Sequence, residues 1–194
     1  MAFILASESP RRRELLSRLG VPFEIRTLPV KEYRQGDLPP RELPVRNAEL
    51  KAECVAARYP DCVVLGADTV IVFAGRIIGK PADVSDAEST LIELAGKTHC
   101  VVTGLALLRA RDDTRIVWSE CTRVTFKDYS ASVAKEYMQL VNVLDKAGSY
   151  AVQEHGDMLV DRVEGDLDNV VGLPLGRLKR ELAALGFAGK SVDI

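Results

Sequence analysis

The hydrophobic positions along the chain alternate between short continuous apolar runs and segments with helical spacing. The runs at residues 2–6 and 62–73 are typical of buried strands, and the second is the most apolar, which predicts a central strand. Helical spacing predicts helices over residues 41–58 and 84–95 and a last helix that begins at Pro174. Strand and helix patterns thus follow one another along the whole chain.

Two further patterns indicate antiparallel pairing. A Gly-containing turn before Ile77 predicts a hairpin with the central strand, and the β-rich runs at 98–108 and 116–126 are joined by a short polar connection. Hairpins mixed with crossovers predict an α/β fold with a mixed sheet. A length of 194 residues fits one domain, spanning 1–194, with a single core or a core divided into two lobes.

Composition narrows the possible functions. Hydrophobic residues make up 47% and charged residues 28%, as in ordinary globular proteins, and the net charge of -2 argues against a dedicated nucleic-acid-binding protein. No apolar run reaches the length of a membrane span and no secretory signal is visible, so we expect a cytoplasmic protein with no membrane partner. Four scattered cysteines favour buried free thiols over a zinc site or disulfides.

The segment that follows the first strand carries an unusual charge pattern. Ser9 is in place to cap a helix and Pro10 suits its first position, yet Arg11, Arg12 and Arg13 follow directly. Positive charge at a helix start costs about 0.3–1 kcal/mol per residue, unless an anion binds there. A phosphate site and a solvated surface helix are both compatible with this pattern, and the preceding strand favours the phosphate site.

Asp68 interrupts the most apolar strand. A lone ionised carboxylate at such a position costs several kcal/mol unless it is paired, hydrogen-bonded or bound to a metal. A rigidly held carboxylate suits a general base or a metal ligand. The alternative is an Asp that merely begins a turn at the end of the strand.

Three more charged residues together indicate a functional site, although each of them alone could be an ordinary surface charge. Glu32 lies in a polar loop, Lys80 lies in a loop before Pro81, and Lys51 shares a helix face with Asn47. Cations and carboxylates together suit phosphoryl or nucleotidyl chemistry with Mg²⁺. The sequence contains no P-loop and no dinucleotide fingerprint, and a hydrolase triad with Ser149 and His155 lacks its usual G-x-S-x-G motif.

A series of short motifs runs nearly end to end through the chain. In chain order they are residues 5–12 (LASESPRR), Glu32, 48–52 with Lys51, 66–69 (GADT), 79–81 (GKP), 145–150 (DKAGSY), Gln153 and 169–175 (NVVGLPL). With these motifs the chain resembles the Maf family of nucleoside triphosphate pyrophosphatases. Two positions differ from the usual pattern, namely Lys31, where an acidic residue is common, and Glu154, where glycine is usual.

The resemblance implies an elongated, twisted mixed sheet of the ITPase-like kind, flanked by helices, with two lobes and a central cleft. It implies hydrolysis between the α- and β-phosphates with Mg²⁺ or Mn²⁺, Asp68 being the proton acceptor and Glu32 and Asp68 the metal ligands. Phosphate contacts would come from cationic and hydroxyl side chains: Ser7, Arg11, Arg12, Lys51 and Lys80. Arg11, Thr69 and Gln153 match the branch of the family that acts on dTTP and UTP rather than on 7-methyl-GTP.

The resemblance also makes a homodimer plausible and leaves two rival functions. One is a non-catalytic nucleotide-binding regulator of cell division, which would bind nucleotide without releasing pyrophosphate. The other is a phosphatase that releases orthophosphate. Assays for both products distinguish these functions from a pyrophosphatase.

Overall fold

A computed structural model of the chain describes residues 2–187. Its strands are β1 (Phe3–Leu5), β2 (Glu24–Ile25), β3 (Val63–Phe73), β4 (Arg76–Ile78), β5 (Thr98–Arg109), β6 (Thr114–Phe126) and β7 (Val160–Glu164). Its α-helices are α1 (Pro10–Ser17), α2 (Leu43–Arg58), α3 (Val84–Leu94), α4 (Ala131–Leu140), α5 (Leu167–Val171) and α6 (Leu175–Ala184). The predicted strands and helices are confirmed, and their bounds differ from the predicted ones by at most two residues.

The strands form a mixed sheet, as the sequence predicts. Its order is β2-β1-β3-β5-β6-β7, and β4 pairs with β3 outside that path. β1 runs parallel to both β2 and β3, whereas β4 is antiparallel to β3 and β7 is antiparallel to β6. The predicted mixed α/β fold with flanking helices is therefore confirmed, while the cleft that the resemblance implies stays a prediction.

The described residues fall into two compact units. The first comprises those of Met1–Thr69, Thr103–Glu120 and Gly172–Ile194, and the second comprises Val70–Val102 and Cys121–Val171. The core of the first unit packs small residues of α2, such as Ala48 and Ala52, against Ile4 and Val64. The core of the second unit surrounds Leu91, Phe126 and Tyr137. A single domain over residues 1–194 stays a prediction.

Two glycines let α2 approach the sheet of the first unit very closely. A methyl group at Gly66 of β3 would overlap the Ala48 carbonyl group, and one at Gly104 of β5 would overlap the backbone at Pro44. Glycine fits at such a backbone contact because it has no Cβ atom. This contact determines how near the side chains of α2 come to the residues of β3.

We expect Gly66→Ala to lower the free energy of unfolding by about 1–3 kcal/mol, because the added methyl group overpacks a backbone contact. Urea unfolding, followed by circular dichroism, measures the change. Gly176→Ala is the matched control, since a Cβ atom there meets no atom within 4 Å. In α6 this control should be neutral or slightly stabilising; equal losses for the two variants would contradict the close packing.

Three local expectations need correction or comment. The four cysteines are free, as predicted, but Cys121 is exposed and the others are half-buried, so the predicted burial is wrong. The sequence also predicts that Ser130 caps a helix that extends through Val141. Ser130 does precede α4, but its hydroxyl group pairs with that of Ser132 instead of capping the helix. Among residues 2–187, no helix combines the length and the apolar character needed to cross a membrane.

Candidate active site

Asp68 is the centre of a polar cluster in the first unit. Its side chain is 16% exposed, and both of its carboxylate oxygens accept hydrogen bonds. Lys51 Nζ donates to Oδ1 over 2.9 Å, and Asn47 Nδ2 donates to Oδ2 over 3.3 Å. Both donors lie on α2, one turn apart, as their spacing predicts. The pairing with a lysine offsets the cost of placing a charged carboxylate in an apolar strand.

Lys51 connects two carboxylates that are far apart in the sequence. Its Nζ lies 2.9 Å from Glu32 Oε2 and 2.9 Å from Asp68 Oδ1. The Lys51 side chain is 17% exposed and that of Glu32 is 45% exposed, so the cluster opens toward solvent on the side of Glu32. Two carboxylates that meet at one ammonium group supply the kind of oxygen ligands that divalent cations such as Mg²⁺ prefer.

Arg12 makes hydrogen bonds with three different parts of the first unit. Its Nε donates to the Gly172 carbonyl oxygen over 3.0 Å. Its Nη1 donates to Ser7 Oγ over 3.3 Å, and its Nη2 donates to Thr69 Oγ1 over 3.0 Å. Burial lowers the pKa of Arg12, while the negative charge of Asp68 opposes this effect. Arginine is so basic that the guanidinium group stays charged.

The start of α1 has the geometry that the sequence predicts. Ser9 Oγ accepts a hydrogen bond from the Arg12 backbone N–H over 3.4 Å, and Ser7 Oγ accepts one from the Ser9 N–H over 3.3 Å. The three arginines differ in their surroundings, since Arg13 is exposed whereas Arg11 and Arg12 are half-buried. Arg11 is also close enough for its charge to lower the pKa of Arg12. Positive charge is thus concentrated at the helix start.

A cavity of about 690 Å³ lies beside this cluster in the first unit. Its polar wall contains Ser7, Arg12, Glu32 and Lys51, and residues 27–30 form part of the wall as well. Thr27 Oγ1 donates to Glu8 Oε1 over 2.8 Å, which joins this second wall to the segment before α1. The volume is in the range of small-molecule sites.

The predicted residues Lys80 and Gln153 belong to the second unit. Both are exposed, and their contribution to the site stays a prediction. The loop that carries Lys80 is held by a hydrogen bond from Gly148 N to the Gly79 carbonyl oxygen over 2.9 Å. Glu154, which replaces the usual glycine, lies 3.3 Å from the buried Lys146 ammonium group. Its charge is therefore compensated within the second unit.

Sequence reasoning missed two buried groups that complete the cluster. Thr103 Oγ1 lies 3.0 Å from Thr69 Oγ1, and it comes from the neighbouring strand β5. Asn47 contacts Asp68, and its spacing from Lys51 was the signal that could have identified it. The structure thus brings together six predicted residues of the first unit: Ser7, Arg12, Glu32, Lys51, Asp68 and Thr69.

Cations, two carboxylates and a capped helix start next to one cavity can bind a polyphosphate and deliver a base to it. The cations and the helix start attract phosphate oxygens. A carboxylate fixed by two hydrogen bonds can accept a proton from water at a defined position. The arrangement suits the hydrolysis of a phosphoanhydride bond.

The chain is similar to several known proteins over nearly its whole length. A family model described as Maf-like protein matches residues 2–185. A protein of Akkermansia muciniphila named dTTP/UTP pyrophosphatase is 45% identical over 184 residues, which cover 95% of this chain and 96% of that protein. Proteins of the same name from Symbiobacterium thermophilum and Dictyoglomus thermophilum are 43% and 40% identical, and each match covers 95% of this chain and 94% and 96% of those proteins.

A solved structure shares the fold. The Ham1 protein of Staphylococcus aureus superposes with a TM-score of 0.57 at 14% sequence identity. The match covers 95% of this chain and 100% of the Ham1 chain. At this low identity the likeness concerns the arrangement of strands and helices alone.

Proposed function

The chain belongs to the Maf family, and from that premise we propose that it is a nucleoside triphosphate pyrophosphatase that acts on dTTP and UTP. It would hydrolyse the bond between the α- and β-phosphates and give the nucleoside monophosphate and pyrophosphate. The observation that carries the proposal is Lys51 Nζ, 2.9 Å from both Asp68 and Glu32, in a cluster that also contains Arg12. The names of the relatives support the choice of dTTP and UTP.

In this reaction Asp68 accepts a proton from the water that attacks the α-phosphorus. Its hydrogen bonds with Asn47 and Lys51 hold the carboxylate in one orientation, so the base need not reorganise during the reaction. The new bond joins the water oxygen to the α-phosphorus, and the bond that breaks leaves its electron pair on pyrophosphate. Pyrophosphate is therefore the leaving group.

The cationic residues bind the triphosphate and stabilise the charge that develops on its oxygens. Arg12 is already oriented by its bonds with Ser7, Thr69 and Gly172, and Arg11 adds charge beside it. Hydrogen-bond donors that are oriented in advance stabilise a developing charge more strongly in a site that excludes part of the water than in bulk water. Lys80 would add a contact from its loop in the second unit.

The residues present fit a divalent cation that is bound together with substrate. Mg²⁺ commonly binds one or two protein carboxylates plus substrate phosphates, and Asp68 and Glu32 supply the two carboxylates. Within residues 2–187, no group of three or more His, Cys, Asp or Glu residues could hold a metal ion by itself. The substrate phosphates would complete the ligand shell. When bound, Mg²⁺ or Mn²⁺ supplies positive charge to the phosphate oxygens.

Three residues would set the preference for the base, namely Arg11, Thr69 and Gln153. Thr69 has a defined position, since its hydroxyl group contacts both Arg12 and Thr103.

The cytoplasm suits a protein whose four cysteines are free. A homodimer stays a prediction.

A panel of nucleoside triphosphates tests the proposal. The purified chain is incubated with dTTP, UTP, CTP, ATP, GTP and 7-methyl-GTP, with and without Mg²⁺ or Mn²⁺, and both pyrophosphate and orthophosphate are measured. We expect metal-dependent release of pyrophosphate, with the highest kcat/KM for dTTP and UTP. In heavy-oxygen water the label should enter the monophosphate, because the attack occurs at the α-phosphorus.

Each rival has its own outcome in this panel. Nucleotide binding without release of either product would favour a non-catalytic regulator. Release of orthophosphate would favour a phosphatase. The highest kcat/KM for 7-methyl-GTP would contradict the proposed base preference and leave the pyrophosphatase reaction in place.

A further inference from the structure

Asn47 is a buried amide whose bond with Asp68 is only one of its three hydrogen bonds. It is 2% exposed and lies within α2, where asparagine is a poor helix former compared with leucine or alanine. A buried amide is costly unless its donors and acceptor are satisfied. Its presence at this position therefore calls for specific partners.

The partners of Asn47 lie on two different segments. Its Oδ1 accepts from the Tyr33 backbone N–H over 2.8 Å, and its Nδ2 donates to the Tyr33 carbonyl oxygen over 3.1 Å. Nδ2 also donates to Asp68 Oδ2 over 3.3 Å. The backbone N–H can only donate, and the carbonyl and carboxylate oxygens can only accept. These three partners therefore allow a single orientation of the amide.

The contact with Tyr33 fixes a loop that lacks regular structure. The Arg26 N–H still donates to the Leu5 carbonyl oxygen of β1. Residues 27–34 contain neither helix nor strand, so no backbone ladder holds them at the site. Asn47 bonds both backbone groups of Tyr33, and the preceding residue is Glu32, whose carboxylate pairs with Lys51. Two side chains of α2 thus hold adjacent residues of the loop.

We propose that Asn47 is a positioning residue that holds the Glu32 loop and the Asp68 carboxylate in register with each other. The proposal rests on the proposed function, because it assigns Asn47 a part in the same reaction. Asp68 and Glu32 are 36 positions apart in the sequence, and Asn47 and Lys51 of one rigid helix connect them. Loss of the amide leaves Lys51 alone to set their separation.

The test is Asn47→Leu, which keeps a side chain of similar size, favours the helix and removes every hydrogen bond of the amide. We expect kcat for dTTP to fall about 10–100-fold and the half-saturating Mg²⁺ concentration to rise by a similar factor, as for other residues that orient metal ligands. The KM for dTTP should change less than kcat, since the phosphate contacts of Arg12 remain. Asn47→Ala should behave in the same way.

A second readout requires neither metal nor substrate. Hydrogen exchange of the Tyr33 amide, measured by NMR in the metal-free protein, should be about tenfold faster or more in Asn47→Leu, because this amide loses its acceptor. Arg46→Ala is the matched control on the adjacent position of α2, where the side chain pairs with Glu49 and is exposed. It should leave kcat, the Mg²⁺ dependence and the Tyr33 exchange unchanged.

A merely structural role predicts a different result. Leu108→Ala removes a buried side chain from the core that packs on α2, and it should lower Tm without changing kcat or the Tyr33 exchange. The proposal is overturned if Asn47→Leu behaves like Leu108→Ala, or if only one of turnover and Tyr33 exchange changes. A wild-type protein that releases no pyrophosphate would overturn the proposed function as well, whereas an active wild type with an unaffected Asn47→Leu overturns this inference alone.

Discussion

Asp68→Asn should reduce kcat for dTTP or UTP by about 10²–10⁴-fold, the usual range for the loss of a general base. The amide keeps the size of the side chain but cannot accept a proton from water. It also removes the negative charge that Lys51 and Arg12 face in the substrate-free protein. Pyrophosphate release under saturating substrate and Mg²⁺ measures kcat, and equilibrium binding of dTTP shows that the variant still folds and binds.

Asp61→Asn is the matched control for this change. Asp61 is also a carboxylate of the first unit, but its side chain is 74% exposed and it pairs with Arg111 at the surface. We expect this control to keep normal turnover, since an exposed ion pair contributes little. Near-normal pyrophosphate release by Asp68→Asn would disprove the assignment of Asp68 as the base.

Arg12→Ala should lower kcat by about 10²–10³-fold, as expected when a preoriented donor to a developing negative charge is lost. The guanidinium group is held by Ser7, Thr69 and Gly172, so its position is set before substrate binds. Arg12→Lys keeps the positive charge but cannot reproduce the planar group with its several donors, and it should restore only part of the activity. Steady-state kinetics of pyrophosphate release compare the three proteins.

Arg13→Ala provides the control from the next position of the same helix. Arg13 is exposed, so its truncation should leave kcat and KM close to those of the wild type. A loss for Arg13→Ala equal to that for Arg12→Ala would mean that the charge of α1 acts as a whole. The distinct role of the Arg12 contacts would then be wrong.

Much of the fold could be predicted because its signals are local. Ser9 and Pro10 mark the start of α1, and the apolar run of β3 marks a buried strand regardless of what lies beside it. The contact between α2 and the sheet could not be predicted in the same way. Gly66 and Gly104 look like ordinary strand glycines until the backbone of α2 is placed against them.

The sequence could predict those residues of the candidate site whose type is unusual in its local sequence context. A carboxylate in an apolar strand is conspicuous by itself, and Asp68 is identified on that ground. The charge at the helix start marks Arg11, Arg12 and Arg13 alike, and only the family resemblance separates Arg11 and Arg12 from Arg13. Asn47 was visible only as a neighbour of Lys51, because its bonds with the Tyr33 backbone depend on the path of an irregular loop. The Gly172 carbonyl group carries no residue-specific signal.

The hydrogen bonds of the site close chain loops of very different length. The bond between Lys51 and Asp68 spans 17 residues, whereas the bond between Arg12 and Gly172 spans 160. The entropic cost of closing a loop rises by about 0.6 kcal/mol for each doubling of its length. Closing the longer loop therefore costs about 2 kcal/mol more than closing the shorter one. The carboxylate–lysine pair can therefore assemble within a nascent α2–β3 segment. The bond from Arg12 to Gly172 needs nearly the whole chain, and a truncation before Gly172 removes it while the partners of Arg12 at Ser7 and Thr69 remain.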